Sequence, residues 1–168
     1  AIAATDLDLV FAAGDPNAAA NPSVGAVAYS NSFIGATATV LYNYDDSLNV
    51  LTTQVPPNNG VLNTIGSTGV LVNLADASAD MDIYFDEQAG ANRAFLSANT
   101  GALTNDQFFS LDLTSGAATV LGNIGFGIPV SDIAILIDRF VPEEITGQLV
   151  FALTANNSLI TFDSDLPG

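Results

Sequence analysis

The chain has 168 residues, 49% of them hydrophobic, which suffices for about one domain with a sizeable core. Eighteen acidic residues against two basic ones, Arg93 and Arg139, leave a formal net charge of -16; this argues against nucleic acid or an anionic membrane surface, since phosphates are held by Lys and Arg. Cys and His are absent, which excludes disulfides, thiolate or imidazole metal sites and Cys/His nucleophile pairs.

Ala1, Ile2, Ala3, Ala4 and Thr5 are small or β-branched and are expected to form a strand. The Ala-rich stretch 17–22 is bounded by Asn and Pro and is expected as a loop. Strands are expected at 24–29, 37–44 and 49–55, the last stopped by Pro56 and Pro57. Asn58-Asn59-Gly60 signals a turn before a fourth strand at 61–65. Further strands are expected near 81–86, 93–98, 107–112 and 117–121, and then near 132–138, 148–154 and 158–163. Helical periodicity is nearly absent, and no apolar run approaches the roughly 18 residues of a membrane-spanning helix. The chain opens without an initiator Met or a signal peptide, which reads as a mature product or a piece of something longer.

These strands repeat. Asp80-Met81-Asp82-Ile83-Tyr84-Phe85-Asp86 aligns with Asp132-Ile133-Ala134-Ile135-Leu136-Ile137-Asp138. Gly60 to Gly66 aligns with Gly116 to Gly122, Arg93-Ala94-Phe95-Leu96 with Leu149-Val150-Phe151-Ala152, and Phe108 to Asp112 with Leu159 to Asp163. Four short strands per period of roughly 50 residues is the scale of a propeller blade. The expected fold is therefore all-β: β-propeller-like blades of four antiparallel strands, about three per chain, in a single repeat domain over 1–168. Blade one spans 24–66, blade two 80–122, and an incomplete blade three 132–163, with residues 1–5 as an orphan fourth strand. Three blades are too few to close a ring of about 4–8. Two copies joined head to tail, or flanking repeats of a longer protein, would supply the rest. The rival architecture is a barrel or sandwich closed within one chain.

The residues resemble a bacterial family of secreted repeat domains of unknown function. The matching stretches are Ala12-Ala13-Gly14-Asp15-Pro16-Asn17 with Asn21-Pro22, Leu41-Tyr42-Asn43-Tyr44-Asp45, Gln54 to Gly66 and Thr114 to Gly122. The resemblance implies the later half of one such domain followed by the opening of the next, which starts near Leu149. It implies a bacterial extracellular or cell-surface location and carries no catalytic residues.

The acids are mostly Asp, which favours turns because its side chain competes for nearby backbone groups. Asp45, Asp46, Asp106, Asp112, Asp163 and Asp165 sit at expected strand ends or turns, where calcium ligands are often supplied. No EF-hand spacing is present, and the same residues equally suit Asx turns. Calcium is the one cofactor worth testing. Asp80, Asp82 and Asp86 alternate with apolar residues and are expected on a solvent face or a channel mouth, with a catalytic carboxylate pair as the sharper alternative. Tyr29, Tyr42, Tyr44 and Tyr84 could stack on sugars, whereas Phe95, Phe108, Phe109, Phe151 and Phe162 are expected to pack between blades. Arg93 and Arg139 are expected in ion pairs, with Glu143 and Glu144 among the partners, and Asn156-Asn157-Ser158 forms a sequon expected to be only a turn. The leading expectation is a non-enzymatic extracellular structural or adhesive module. It would self-associate by strand complementation between residues 1–5 and the open blade at Leu159, Ile160, Thr161 and Phe162. The alternatives are a calcium-dependent propeller hydrolase or lactonase-like enzyme and a glycan-binding module.

Overall fold

A computed structural model of the chain describes residues 6–101, 106–125, 129–136, 147–165 and 167. Three sheets form among them. The first contains β1 (Val10–Phe11), β2 (Val24–Tyr29), β3 (Leu41–Asp45), β4 (Val50–Gln54) and β5 (Val61–Ser67), in the order β1-β5-β4-β3-β2. The second runs β6-β7-β8-β9, with β6 at Ala79–Asp86, β7 at Ala91–Asn99, β8 at Asp106–Leu111 and β9 at Ala118–Asn123. The third runs β10-β11-β12, with β10 at Val130–Ile135, β11 at Leu149–Thr154 and β12 at Leu159–Asp163. Consecutive strands from β2 onward pair antiparallel within each sheet. The chain is thus all-β with propeller-like antiparallel sheets, as its turn density and short β-branched runs lead one to expect.

Two differences from the sequence reading have local causes. The strand expected from Thr37 begins only at Leu41. Its partner β2 ends where Asn31 takes a left-handed φ of 59°; the last ladder bond runs from Ser30 N to Val40 O, and beyond it Ala38 O accepts from the Asn31 side chain in place of a strand partner. The second difference is β1, two residues that add parallel to β5; so short a strand has no periodicity to read. Gly60 admits it. Its φ is +67°, and a Cβ there would strike the backbone carbonyl of Asp8.

The innermost strands lie side by side, β6 packing against β2 on one flank and β10 on the other. Period-two alternation then gives β6 two buried faces. Met81 and Ile83 join Tyr44, Leu51, Leu96 and Phe109 in the core between the first and second sheets. Tyr84 joins Phe95, Phe108, Ile133 and Val150 in the core between the second and third. Phe95 and Phe108 stack at 5.3 Å, and Phe162 of β12 meets Phe108 edge-on at 5.1 Å. Each such side chain stabilises the fold by about 1.5–3 kcal/mol through removal from water. The aromatic repeat is therefore packing between sheets, as expected, except for Phe151, which is half-buried on the opposite face of the third sheet.

Glycines set the spacing of the outer strands. A Cβ on Gly66 of β5 would strike the Ser115 carbonyl, and one on Gly116, at φ +82°, would lie 2.7 Å from the Gly66 carbonyl. The outer turn of the second sheet can dock on the first only because both are glycine. One sheet along, Gly122 of β9 faces the ring of Pro167, whose Cγ lies 2.9 Å from a would-be Cβ.

Candidate functional site

Asp dominates because three hairpins and the segment after β12 use one device. Asp45 Oδ1 accepts from Ser47 N and Leu48 N, Asp86 Oδ1 from Gln88 N and Ala89 N, Asp112 Oδ1 from Thr114 N, and Asp163 Oδ1 from Asp165 N. Four residues after the first three stands a left-handed residue: Asn49, Gly90 and Gly116. A carboxylate that caps the turn amides and a residue at ease with positive φ together close the loop. The amide bonds, Ala89 N first and then the Arg93 side chain, hold Asp86 below the usual carboxylate range. Asp112 is lowered the same way, first by Thr114 N–H.

This arrangement disperses the six expected calcium ligands. Asp45 and Asp46 lie in the first sheet, Asp106 and Asp112 in the second, and Asp163 and Asp165 at the end of the third. Among the described residues no three Asp or Glu gather to hold a metal; Asp45, Asp112 and Asp163 spend their oxygens on backbone amides and hydroxyls. Nothing is stated of the Asp106 side chain, which lies outside the described residues.

Asp80 and Asp82 tie the second sheet to the third, as Asp15 ties its loop to Thr64 of β5. Asp80 Oδ2 accepts from Ile133 N at 2.7 Å, and Asp82 Oδ2 from Ile135 N at 2.7 Å. Asp82 Oδ1 also accepts from Ile83 N at 2.8 Å. The inner strand of one sheet is thus laced to the inner strand of the next. In sequence their alternation with apolar residues points to a solvent face or a channel mouth. The missed signal was that an innermost strand has no solvent face along most of its length. Burial pushes Asp80 from 3.8 up to about 7; the Ile133 amide opposes the shift, and the neighbouring Asp132 carboxylate adds to it.

Beside this lacing is a recess of about 400 Å³ where the inner strands of all three sheets begin. Gly25, Asp46, Asp76, Ser78, Asn99 and Ser131 line it. Asp76 accepts from Asn99 Nδ2, Ser78 Oγ donates to Val130 O, and Asp46 Oδ1 is buried without a hydrogen-bond partner. Of the other candidates, Tyr44 is buried, its hydroxyl donating to Val70 O, while Tyr29 is exposed. Arg93 pairs with Asp86 at 2.7 Å on the surface. Asn156 sits in the exposed turn between β11 and β12, as expected for a turn. Arg139, Glu143 and Glu144 lie outside the described residues, as do Ala1, Ile2, Ala3, Ala4 and Thr5. Within β12, Ile160 and Phe162 point into the core against the second sheet, whereas Leu159 and Thr161 face outward and are exposed.

The fold has solved counterparts. A structure of the exo-beta-1,3-galactanase from Phanerochaete chrysosporium with beta-1,3-galactotriose matches 96% of this chain and 39% of its own, at 11% identity and a TM-score of 0.53. The galactose-bound structure of the same protein matches 95% of this chain and 40% of its own, at 14% identity and a TM-score of 0.49. At such identities the likeness is one of fold, and the chain spans about 40% of the galactanase length. No curated protein matches the sequence. A family model described as a domain of unknown function matches residues 1–134. The chain therefore belongs to the DUF4394 family, the domain of unknown function that this model describes.

Proposed function

We propose that this chain is a non-enzymatic structural or adhesive module that works outside a bacterial cell and associates through strand complementation at β12. One observation carries the reading. In the first two sheets four consecutive antiparallel strands follow one another outward, β2 to β5 and β6 to β9, while the third has three among the described residues. A fourth strand would pair along the outer edge of β12, and main-chain hydrogen bonds would supply the affinity. Residues 1–5 of another copy are the proposed donor. The extracellular placement rests on the resemblance to exported repeat domains. Sedimentation of the chain with and without residues 1–5 tests the reading: loss of self-association on truncation supports it, and an unchanged mass refutes it.

A second reading, glycan binding, draws on the recess. Asp46, Asp76, Asn99, Ser78 and Ser131 offer acceptors and donors suited to sugar hydroxyls, and the galactanase of similar fold is bound to beta-1,3-galactotriose. Calorimetric titration with beta-1,3-linked galacto-oligosaccharides tests it. Absence of heat removes this reading, and release of galactose would replace it with a hydrolase.

A further inference from the structure

We infer that the outer face of the third sheet is the seat of the first sheet of a second copy of this chain, docked face to face and head to tail. The inference rests on the proposed self-association and names a different surface for it. The strand registers place each residue of the third sheet opposite an equivalent in the second. Asp82, Phe95 and Ser110 lie in one cross-strand row, as do Ala134, Phe151 and Thr161. Asp80, Ser97 and Phe108 correspond likewise to Asp132, Leu153 and Leu159. The second sheet's version of this face is covered by the third sheet: Ser97 is 2%, Phe95 7% and Phe108 0% exposed. On the third sheet the same positions are open, with Leu153 36% and Leu159 66% exposed. Leu136, the counterpart of the buried Tyr84, is also exposed. Ala134, Leu153 and Leu159 replace Asp82, Ser97 and Phe108, so the uncovered face carries two more apolar side chains than its buried equivalent.

The opposite end of the molecule offers the matching half. The bond from Ser30 N to Val40 O fixes the alternation along β2, so the amides of Val27 and Tyr29 point away from β3. The equivalent amides of Ile133 and Ile135 on β10 donate to Asp80 and Asp82 of the preceding sheet. Val27 and Tyr29 have exposed side chains on the flank away from the second sheet. Among the described residues the third sheet has no following sheet and the first has no preceding one. The step from first to second sheet recurs from second to third, down to the docking of Gly116 on Gly66 and of Pro167 on Gly122. Applied across two chains, it brings the third sheet of one copy against β2 of the other. Two such contacts close a ring of six sheets, within the range of about 4–8 that propellers use.

The like charge of the two copies, -16 each, opposes association and is screened by salt. Sedimentation velocity in moderate salt is expected to give twice the 17.2 kDa chain mass, with weaker association at low ionic strength. Leu153→Glu and Leu159→Glu on one end, or Tyr29→Glu on the other, change exposed positions. Each is expected to give folded protein, checked by circular dichroism, with at least a tenfold weaker association. Mixing a Leu159→Glu chain with a Tyr29→Glu chain leaves one intact interface and is expected to restore a heterodimer. If these substitutions leave the mass unchanged while removal of residues 1–5 abolishes association, face docking is overturned and strand complementation stands. If the substitutions abolish it and the truncation does not, face docking holds and strand complementation is overturned. A wild-type chain that is monomeric at high protein and salt concentration overturns both.

Discussion

Replacing Asp82 with Ala cuts the lacing between the second and third sheets at its best-connected point. The side chain accepts two backbone amides, Ile83 N at 2.8 Å and Ile135 N at 2.7 Å. Both isoleucines are at least 95% buried. A buried amide left without an acceptor costs about 1–3 kcal/mol, so with two amides orphaned Asp82→Ala should destabilise by about 2–6 kcal/mol, a large share of the ~5–15 kcal/mol typical of a domain. Asp82→Asn keeps one acceptor oxygen and presents an NH₂ where the other stood, so its loss should fall between wild type and Ala. Urea unfolding followed by far-UV circular dichroism and Tyr fluorescence gives the free energies. Hydrogen exchange at Ile135 reports the bond itself. An Asp82→Ala protein within about 0.5 kcal/mol of wild type, with the Ile135 amide still protected, would refute the lacing.

Asp80 should behave in the opposite sense to the turn aspartates with pH. Its folded value, raised to about 7 from 3.8, means that its contribution is fully present below about pH 4 and is lost as pH rises toward 7. Asp80→Asn should gain on wild type over that window, and parallel pH profiles of the two would contradict this. Asp86 and Asp112, both lowered, contribute above the ordinary carboxylate range, and that contribution is lost on acidification; Asp112→Asn should show a flatter acid limb than wild type. Arg93→Ala should cost less than about 1 kcal/mol, because the Asp86 pair is on the surface and screened; a larger loss in thermal unfolding would mean that the pair is coupled to the hairpin. Gly116→Ala should destabilise by more than the roughly 1–2 kcal/mol that a left-handed backbone costs a residue with a Cβ, since its Cβ also meets the Gly66 carbonyl at a φ of +82°; wild-type stability would show that the outer turn does not dock as described.

The local grammar was legible. Short β-branched runs between Pro, Gly and Asn turns identify the strands, since strand and turn propensities act over a few residues. Asp45, Asp86 and Asp112, each with Asn or Gly four residues on, mark hairpins whose closure is wholly local. Such residues look like metal ligands in one dimension because turns and cation sites want the same oxygens. Among the described residues their oxygens lie on turn amides, and no three acidic side chains gather.

Sequence alone determined that this chain forms β-sheets in repeating units, because alternation and turn chemistry are properties of neighbours. Tertiary structure decided which side of each strand meets protein. Asp80 and Asp82 read as a surface row, yet their strand is innermost and flanked on both sides, so they bond the amides of Ile133 and Ile135. Leu159 is expected at an open, self-associating strand, and it lies with Leu153 on the face that no sheet among the described residues covers. Alternation says that a strand has two faces; what lies against each depends on residues some fifty positions away.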